Sequence, residues 1–173
     1  MLLDLSRLRA GGERLERRYD AAALTRPDDA FCVASPVEFA ADVWKDARKV
    51  RLTGQLKAAL ELECSRCLEP FEVPVAARFD VLFLPASQNA GEGEREVKED
   101  DLGVSYYRDD VIDLGEVIRE QFYLALPMKP LCREACLGLC PVCGTNRNRD
   151  TCSCENEWTD PRLEPLRRLR KDM

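Results

Sequence analysis

Cysteine is the residue type that most constrains this chain, because six of its nine cysteines are concentrated between residues 132 and 154. The chain contains no histidine. Any site for a soft metal ion must therefore be built from thiolates. The absence of histidine also excludes Ser-His-Asp hydrolases, Cys-His proteases, histidine-bound catalytic metals and Cys2His2 zinc fingers. The clustered cysteines are Cys132, Cys136, Cys140, Cys143, Cys152 and Cys154.

The N-terminal segment lacks the pattern of a secretory signal, because Asp4, Arg7 and Arg9 interrupt its apolar residues. No stretch approaches the ~18–20 apolar residues that a membrane span needs. We therefore expect a cytoplasmic protein with no membrane partner, in a compartment that keeps thiols reduced. The odd number of cysteines also argues against a fully paired disulfide framework. The clustered cysteines are then metal ligands or redox groups.

The middle of the chain alternates between apolar and polar residues with a period of two. Apolar residues or glycine occupy every even position from Val50 to Leu62, and similar alternation covers residues 37–43 and 71–83. This pattern predicts three antiparallel strands with one packed face and one solvated face. Gly54 is expected to mark a bend or bulge, and Pro74 indicates an edge position or an irregular strand start.

A helix is predicted after these strands. Asp113 and Glu116 have the spacing of a capping box, and apolar residues recur on one helical face between Leu114 and Ala125. Pro127 ends the pattern. We expect this helix to cover the sheet. The predicted fold class is therefore α+β, with an antiparallel meander or partly open barrel under one helix.

Charge and cysteine content both change after this helix. Residues 128–173 carry nine basic and seven acidic side chains, whereas the whole chain has a net charge of −6. We therefore divide the chain into an α+β domain at residues 1–127 and a cysteine-rich, zinc-binding tail with a terminal helix at residues 128–173. The acidic segment 87–101 is either a solvated loop or a docking segment for a basic partner.

The strongest local motif is Cys140-Pro-Val-Cys143-Gly144. Two thiolates separated by two residues can hold one tetrahedral ion from a tight turn, and the following glycine permits a positive φ. Cys152 and Cys154 follow after eight intervening residues and can complete the site. Four thiolates favour zinc or an iron–sulfur centre over harder cations. A zinc ion with four thiolates has no open coordination position, so its predicted role is structural.

Six tail cysteines exceed the ligands of one tetrahedral ion, and we expect one structural Zn²⁺ per chain. Cys140 and Cys143 are assigned to this ion. The other two ligands are left open among Cys136, Cys152 and Cys154, with Cys132 as the last choice. Reduced cysteines without metal, or cysteines that switch by oxidation, are the alternatives.

A separate pair, Cys64-Ser-Arg-Cys67, falls in the predicted hairpin connection between the two long strands. This pair is a second metal-binding knuckle that joins the tail site, a redox pair with a lowered thiol pKa, or a structural turn with buried thiols. The βαβ context of a thioredoxin-like motif is missing. Cys32 stands alone and is expected to be a small core residue.

Basic side chains in the tail are candidate contacts to RNA, namely Arg147, Arg149, Arg167 and Arg168. Asp160 and Pro161 predict the start of the terminal helix, as N-cap and first helical residue. Basic residues near the end of that helix also suit its dipole, so solvation and the dipole are the alternative explanation.

Several of these segments occur together in one order, which resembles the YceD family over roughly residues 30–170. The segments are Cys64-Ser-Arg-Cys67-Leu68, the helix ending at Leu126-Pro127, the knuckle at residues 138–144, Cys152-Ser-Cys154 and Asp160-Pro161-Arg162. The resemblance implies a bacterial or plastid protein needed for accumulation of large-subunit (23S) ribosomal RNA. It implies no catalytic activity.

We therefore expect a non-enzymatic ribosome-biogenesis factor that acts as a protein adapter with a structural zinc site. Its expected partner is a ribosomal protein or a large-subunit precursor particle, and no small-molecule substrate is expected. The net charge of −6 argues against bare RNA as the main contact. The alternatives are a direct RNA-binding zinc module and a thiol redox protein that uses Cys64 and Cys67.

Overall fold

The computed structural model describes residues 1–8, 11–88, 103–155 and Arg162. No helix in these ranges is both long enough and apolar enough to cross a membrane. The strands and helices in these ranges are β1 (Leu2–Asp4), β2 (Gly11–Tyr19), α1 (Ala21–Leu24), β3 (Cys32–Val33), β4 (Val37–Asp46), β5 (Lys49–Glu63), β6 (Pro70–Pro85), β7 (Val104–Tyr107), β8 (Val111–Asp113) and α2 (Leu114–Ala125).

The main sheet has the strand order β2-β4-β5-β6-β7, with β3 paired to β5. The predicted antiparallel meander of β4, β5 and β6 is present, and β2 extends it on one side. On the other side β7 runs parallel to β6. The sheet is open, because β2 and β7 lie at its two ends and do not pair with each other. Strands β1 and β8 form a separate antiparallel pair.

The burial pattern of the long strand β5 explains why its sequence alternates. Its even-numbered residues Val50, Leu52, Leu56 and Leu60 are fully buried, as the period of two predicts. Gly54 belongs to the same series, and only glycine fits there because a Cβ would lie 2.4 Å from the Ala40 carbonyl oxygen. Gly54 therefore marks a close approach of the β4 and β5 backbones, where the sequence predicted a bend or bulge.

Pro74 lies in β6 opposite Ala59 of β5. The Ala59 amide donates to Ser35 Oγ (2.7 Å), and its carbonyl accepts from the Ala34 amide (2.8 Å). Ala59 therefore directs its hydrogen bonds away from β6, so a residue without an amide hydrogen is tolerated opposite it. This arrangement explains how a proline fits inside a long strand.

Helix α2 packs its apolar residues into the same hydrophobic core as the sheet. Ile118 and Phe122 are fully buried, and the Phe122 ring meets Phe31 edge-on with centroids 5.6 Å apart. Asp113 caps the helix by accepting a hydrogen bond from the Gly115 amide (2.8 Å). The predicted helix and its N-cap are confirmed.

A charged anchor joins α2 to the segment before β3. The carboxylate of Asp29 has no exposed side-chain surface and accepts hydrogen bonds from the Arg119 guanidinium (3.3 Å) and the Tyr123 hydroxyl (2.8 Å). The Arg119 guanidinium lowers the pKa of Asp29 below its ordinary value. This interaction fixes the position of the helix against the sheet edge.

The prediction that Cys32 is a core residue is wrong. Cys32 is exposed in β3, whereas the next residue, Val33, points into the core. The predicted terminal helix and most of the acidic segment 87–101 lie outside the described residues. The domain boundary between residues 127 and 128 stays a prediction.

Candidate metal centre

Eight cysteine thiols are gathered into two groups of four. In each group the four Sγ atoms all lie within 4.8 Å of one another. The first group, which we call the hairpin–tail site, consists of Cys64, Cys67, Cys132 and Cys136. The second group, which we call the tail site, consists of Cys140, Cys143, Cys152 and Cys154.

The hairpin–tail site begins with a tight turn between β5 and β6. The Cys64 amide donates to the Glu69 carbonyl (2.9 Å), and the Leu68 amide returns to the Cys64 carbonyl (2.9 Å). Leu68 has a φ of 59°, which is uncommon for a residue other than glycine. This turn brings the thiols of Cys64 and Cys67 together.

The tail site begins with the same turn. The Cys140 amide donates to the Thr145 carbonyl (2.8 Å), and the Gly144 amide returns to the Cys140 carbonyl (2.8 Å). Gly144 has a φ of 76°. Counted from the first cysteine of each turn, residues one, five and six therefore make matching hydrogen bonds. The fifth residue, Leu68 or Gly144, has a positive φ in both turns.

The tail lies against the hairpin through backbone hydrogen bonds on both sides of the first turn. The Ser65 amide donates to the Pro130 carbonyl (2.8 Å), and the Leu139 amide donates to the Arg66 carbonyl (3.0 Å). The Arg66 guanidinium reaches across to the Cys136 carbonyl (2.8 Å). These contacts bring Cys132 and Cys136 to the hairpin cysteines.

The sulfur spacing in the hairpin–tail site fits tetrahedral thiolate coordination. Cys64 Sγ lies 3.8 Å from Cys136 Sγ, and Cys67 Sγ lies 3.8 Å from Cys132 Sγ. A tetrahedral zinc with Zn–S bonds of ~2.3 Å places its sulfurs about 3.8 Å apart. A disulfide would need about 2.05 Å. The donor set therefore fits zinc, with Cys132 as its exposed member.

The tail site is more open to solvent. Cys140 is buried, Cys152 and Cys154 are half-buried, and Cys143 is exposed. Thr145 Oγ1 lies 3.2 Å from Cys143 Sγ, where its hydroxyl can stabilise a thiolate. Both sites offer four sulfur ligands, which suit a soft dication and leave no coordination position for a substrate.

The thiols of each group differ widely in acidity. The backbone amide of Cys132 lowers the pKa of Cys64 to about 6, whereas burial and the neighbouring thiols raise the pKa of Cys132 to about 12. In the tail site the Thr145 hydroxyl lowers the pKa of Cys143 to about 6, and Cys143 together with burial raises that of Cys154 to about 12. Four thiolates cannot coexist at this spacing without a cation, so an ion that binds must displace protons.

Asn148 connects the two sites. It lies between Cys143 and Cys152 in the chain, yet its Nδ2 donates to Cys136 Sγ (3.3 Å). Its Oδ1 accepts from the Leu137 amide (2.8 Å). Sequence reasoning missed this role because an asparagine in a connecting segment carries no signal that distinguishes a turn from a contact to sulfur.

The structure groups the tail cysteines differently from the expected single site. Cys140, Cys143, Cys152 and Cys154 lie together, which is one of the combinations that the sequence left open. Cys132 and Cys136 lie instead with Cys64 and Cys67. The second knuckle that the sequence left open is therefore present in the geometry. Two groups, not one, could each hold an ion.

The candidate RNA contacts have different environments. Arg149 pairs with Glu69 at 2.6 Å, so part of its charge is neutralised across the hairpin–tail contact. Arg147 is exposed, and its amide donates to the Gly138 carbonyl (2.9 Å). Arg167 and Arg168 lie outside the described residues. A role for these arginines in RNA binding stays a prediction.

The fold and the cysteine groups define a small α+β protein with an open sheet and a cysteine-rich tail docked on one hairpin. The chain belongs to the YceD family. The family profile, described as large ribosomal RNA subunit accumulation protein YceD, matches residues 52–170. This match confirms the resemblance seen in the sequence, and it covers β6, α2 and both cysteine groups.

Relatives occur in plants and mycobacteria. An Arabidopsis thaliana protein named large ribosomal RNA subunit accumulation protein YCED homolog 1, chloroplastic, is 28% identical over 160 residues, covering 80% of this chain and 50% of the relative. The Zea mays protein of the same name is 26% identical over 144 residues, covering 70% and 49%. A Mycobacterium tuberculosis protein named only as uncharacterized is 37% identical over 117 residues, covering 68% and 54%.

The chain spans about half the length of these curated relatives. No solved structure matches it significantly. The plant names place those proteins in chloroplasts. The cytoplasmic location expected for this chain stays a prediction.

Proposed function

We propose that this chain is a non-enzymatic ribosome-biogenesis factor that supports the accumulation of large-subunit (23S) ribosomal RNA. The observation that carries the proposal is the family match over residues 52–170, which includes β6, α2 and the cysteine groups. The names of the two plant relatives point to the same process. The chain acts without a small-molecule substrate.

The proposed mode of action is that of a protein adapter with structural zinc in its tail. Four thiolates around a tetrahedral ion exclude water and substrate from the metal, which supports a structural role. The net charge of −6 repels nucleic acid at long range and favours a basic protein partner. A ribosomal protein or a large-subunit precursor particle fits this charge.

The sheet face opposite the core supplies charged side chains for such a contact. Arg51 and Asp80 form an exposed ion pair there (2.6 Å), and Trp44 is 59% exposed. Exposed aromatic rings and arginine are both enriched on surfaces that bind proteins. The adapter role is proposed from this surface together with the overall charge.

The test is deletion of the gene in the organism that encodes the chain, followed by measurement of the 23S to 16S ribosomal RNA ratio. We expect the ratio to fall and to recover when the chain is reintroduced. The Cys32→Ser variant is the matched control, since Cys32 belongs to neither cysteine group, and it should restore the ratio as well as the original chain does. An unchanged ratio after deletion would refute the proposal.

A second experiment separates the alternatives. The tagged chain is purified with its partners, and the complex is divided into samples with and without ribonuclease. An adapter retains its ribosomal proteins after ribonuclease, whereas an RNA-binding module loses them. A thiol redox protein would instead turn over a disulfide substrate and lose that activity in the Cys64→Ser variant.

A further inference from the structure

We propose that the hairpin–tail site is a zinc site separate from the tail site, and that its ion fastens the tail to the β5–β6 hairpin. The chain then carries two Zn²⁺ ions with different tasks. The ion in the tail site folds residues 140–154 on themselves, whereas the ion in the hairpin–tail site joins two distant parts of the chain. The proposal is independent of the role in ribosome biogenesis and is tested on the purified protein.

The four sulfurs of the hairpin–tail site are arranged to bind one ion. Two sulfur pairs across the site, Cys64 with Cys136 and Cys67 with Cys132, have the same separation of 3.8 Å. All four sulfurs lie within 4.8 Å of one another, so one ion can reach them all. An iron–sulfur cluster distributes its cysteine ligands over different iron atoms and needs wider spacing. The set therefore fits a single tetrahedral ion.

The backbone at Leu68 has the conformation of a metal-binding turn. Its positive φ disfavours any residue with a Cβ, and its side chain is 60% exposed, so packing gives little compensation. The same backbone conformation occurs at Gly144 in the tail site, where glycine adopts it easily. A strained residue that reproduces the turn of a metal knuckle indicates that the turn itself is required.

Neighbouring side chains hold the ligands of the hairpin–tail site in place. Arg66 binds the Cys136 carbonyl (2.8 Å), and Asn148 donates to the Cys136 sulfur (3.3 Å). Gly138 packs so closely on the hairpin that a Cβ would lie 2.9 Å from the Arg66 carbonyl oxygen. Metal ligands are commonly held in this way by neighbouring hydrogen bonds. The hairpin and the tail are therefore shaped to each other at this site.

The thiols of the hairpin–tail site lie outside the main hydrophobic core. Cys64, Cys67 and Cys136 are buried in a small cluster, with Leu131 packed beside it and Phe71 packed against both this cluster and the main core. The main core of the sheet and α2 does not include them. So few apolar contacts cannot hold the tail on the hairpin strongly, and an ion with four thiolate bonds supplies the missing attachment.

The test begins with the zinc content of the reduced full-length chain after loading with Zn²⁺ alone. We expect two Zn²⁺ per chain. Cys132→Ser removes the exposed ligand of the hairpin–tail site and should leave one Zn²⁺. Cys143→Ser removes an exposed ligand of the tail site and should also leave one. Cys32→Ser is the matched control and should retain two.

Hydrogen exchange then shows which ion fastens the tail. The amides of Ser65 and Leu139, which bond across the hairpin–tail contact, should exchange at least tenfold faster in Cys132→Ser. They should change little in Cys143→Ser. Equal effects of the two variants on these amides would overturn the separate tasks of the two ions.

Three results would overturn the second site. These are one Zn²⁺ in the original chain, bound iron in the freshly purified protein, or a disulfide between hairpin and tail cysteines under reducing conditions. If Cys132→Ser fails to fold, Co²⁺ titration of the original chain decides instead. Two equivalents with the absorption of tetrahedral thiolate coordination support the proposal, and one equivalent refutes it.

Discussion

The side-chain amide of Asn148 lies 3.3 Å from the Cys136 sulfur, although Asn148 belongs to the connecting segment of the tail site and Cys136 to the hairpin–tail site. The Oδ1 atom of the same side chain accepts a hydrogen bond from the Leu137 amide (2.8 Å). A single asparagine thus orients a ligand of one site from within the other.

Asn148→Ala should weaken metal binding at the hairpin–tail site by about tenfold or more, because removal of a hydrogen bond to a ligand has this effect in other metal sites. Competition with a coloured chelator measures the loss. Arg147→Ala is the neighbouring control, since Arg147 is exposed, and should bind metal as the original chain does. Equal affinities for Asn148→Ala and the original chain would contradict the prediction.

Leu68→Gly should stabilise the metal-loaded chain by up to about 1 kcal/mol, because glycine removes the cost of a positive φ. Little apolar burial is lost, since the Leu68 side chain is 60% exposed. Urea unfolding measures the change. Leu68→Ala keeps the Cβ and should show no gain, so a similar gain in both variants would argue against backbone strain.

Gly54→Ala should destabilise the sheet by about 2–4 kcal/mol, because its Cβ would lie 2.4 Å from the Ala40 carbonyl oxygen and cannot be accommodated without backbone movement. Thermal or urea unfolding measures the loss. Gly103→Ala is the matched control, since a Cβ there meets nothing within 4 Å. Similar stabilities of the two variants would show that β4 and β5 can separate at little cost.

Asp29→Asn should destabilise the chain by about 2 kcal/mol at neutral pH, because Arg119 loses a charged partner in a buried position. The pKa of Asp29 is lower in the folded state than in the unfolded chain. The carboxylate therefore stabilises the fold fully above the unfolded pKa of ~3.9, and this stabilisation is lost as the pH falls through the folded pKa. The difference between variant and original chain should therefore shrink below about pH 4.

Urea unfolding at several pH values measures this difference, and metal loss at low pH affects both chains alike. Asp80→Asn is the control, because the Arg51–Asp80 pair is exposed and should contribute less than about 1 kcal/mol. A pH-independent difference for Asp29→Asn would show that the carboxylate charge is not involved.

Strands β5 and β6 could be predicted from sequence because each buries one face along most of its length. Strand β2 could not, since Leu15 is its one buried residue and its other positions show no apolar alternation. The short β7 was missed for a similar reason, as only Tyr107 is buried there. Periodicity reports burial, so strands at the margins of a sheet leave a weak signal.

The grouping of the tail site was among the combinations that the sequence offered, because its four cysteines are close together in the chain, but the partners of Cys140 and Cys143 stayed open. The hairpin–tail site was left open because its ligands are separated by more than sixty residues, from Cys67 to Cys132. What joins them is a set of backbone contacts, such as the bond between Ser65 and Pro130, and backbone groups are the same for every residue type. Side-chain spacing alone cannot encode such a contact.

The hairpin–tail site also changes the connectivity of the molecule. An ion held by Cys64 and Cys136 closes residues 64–136 into a ring that contains β6, β7, β8 and α2. Closing a ring of this size removes many conformations from the unfolded chain. A single cut of the backbone anywhere inside it leaves both fragments tied to the same ion, so a nicked molecule stays in one piece as long as the metal is bound.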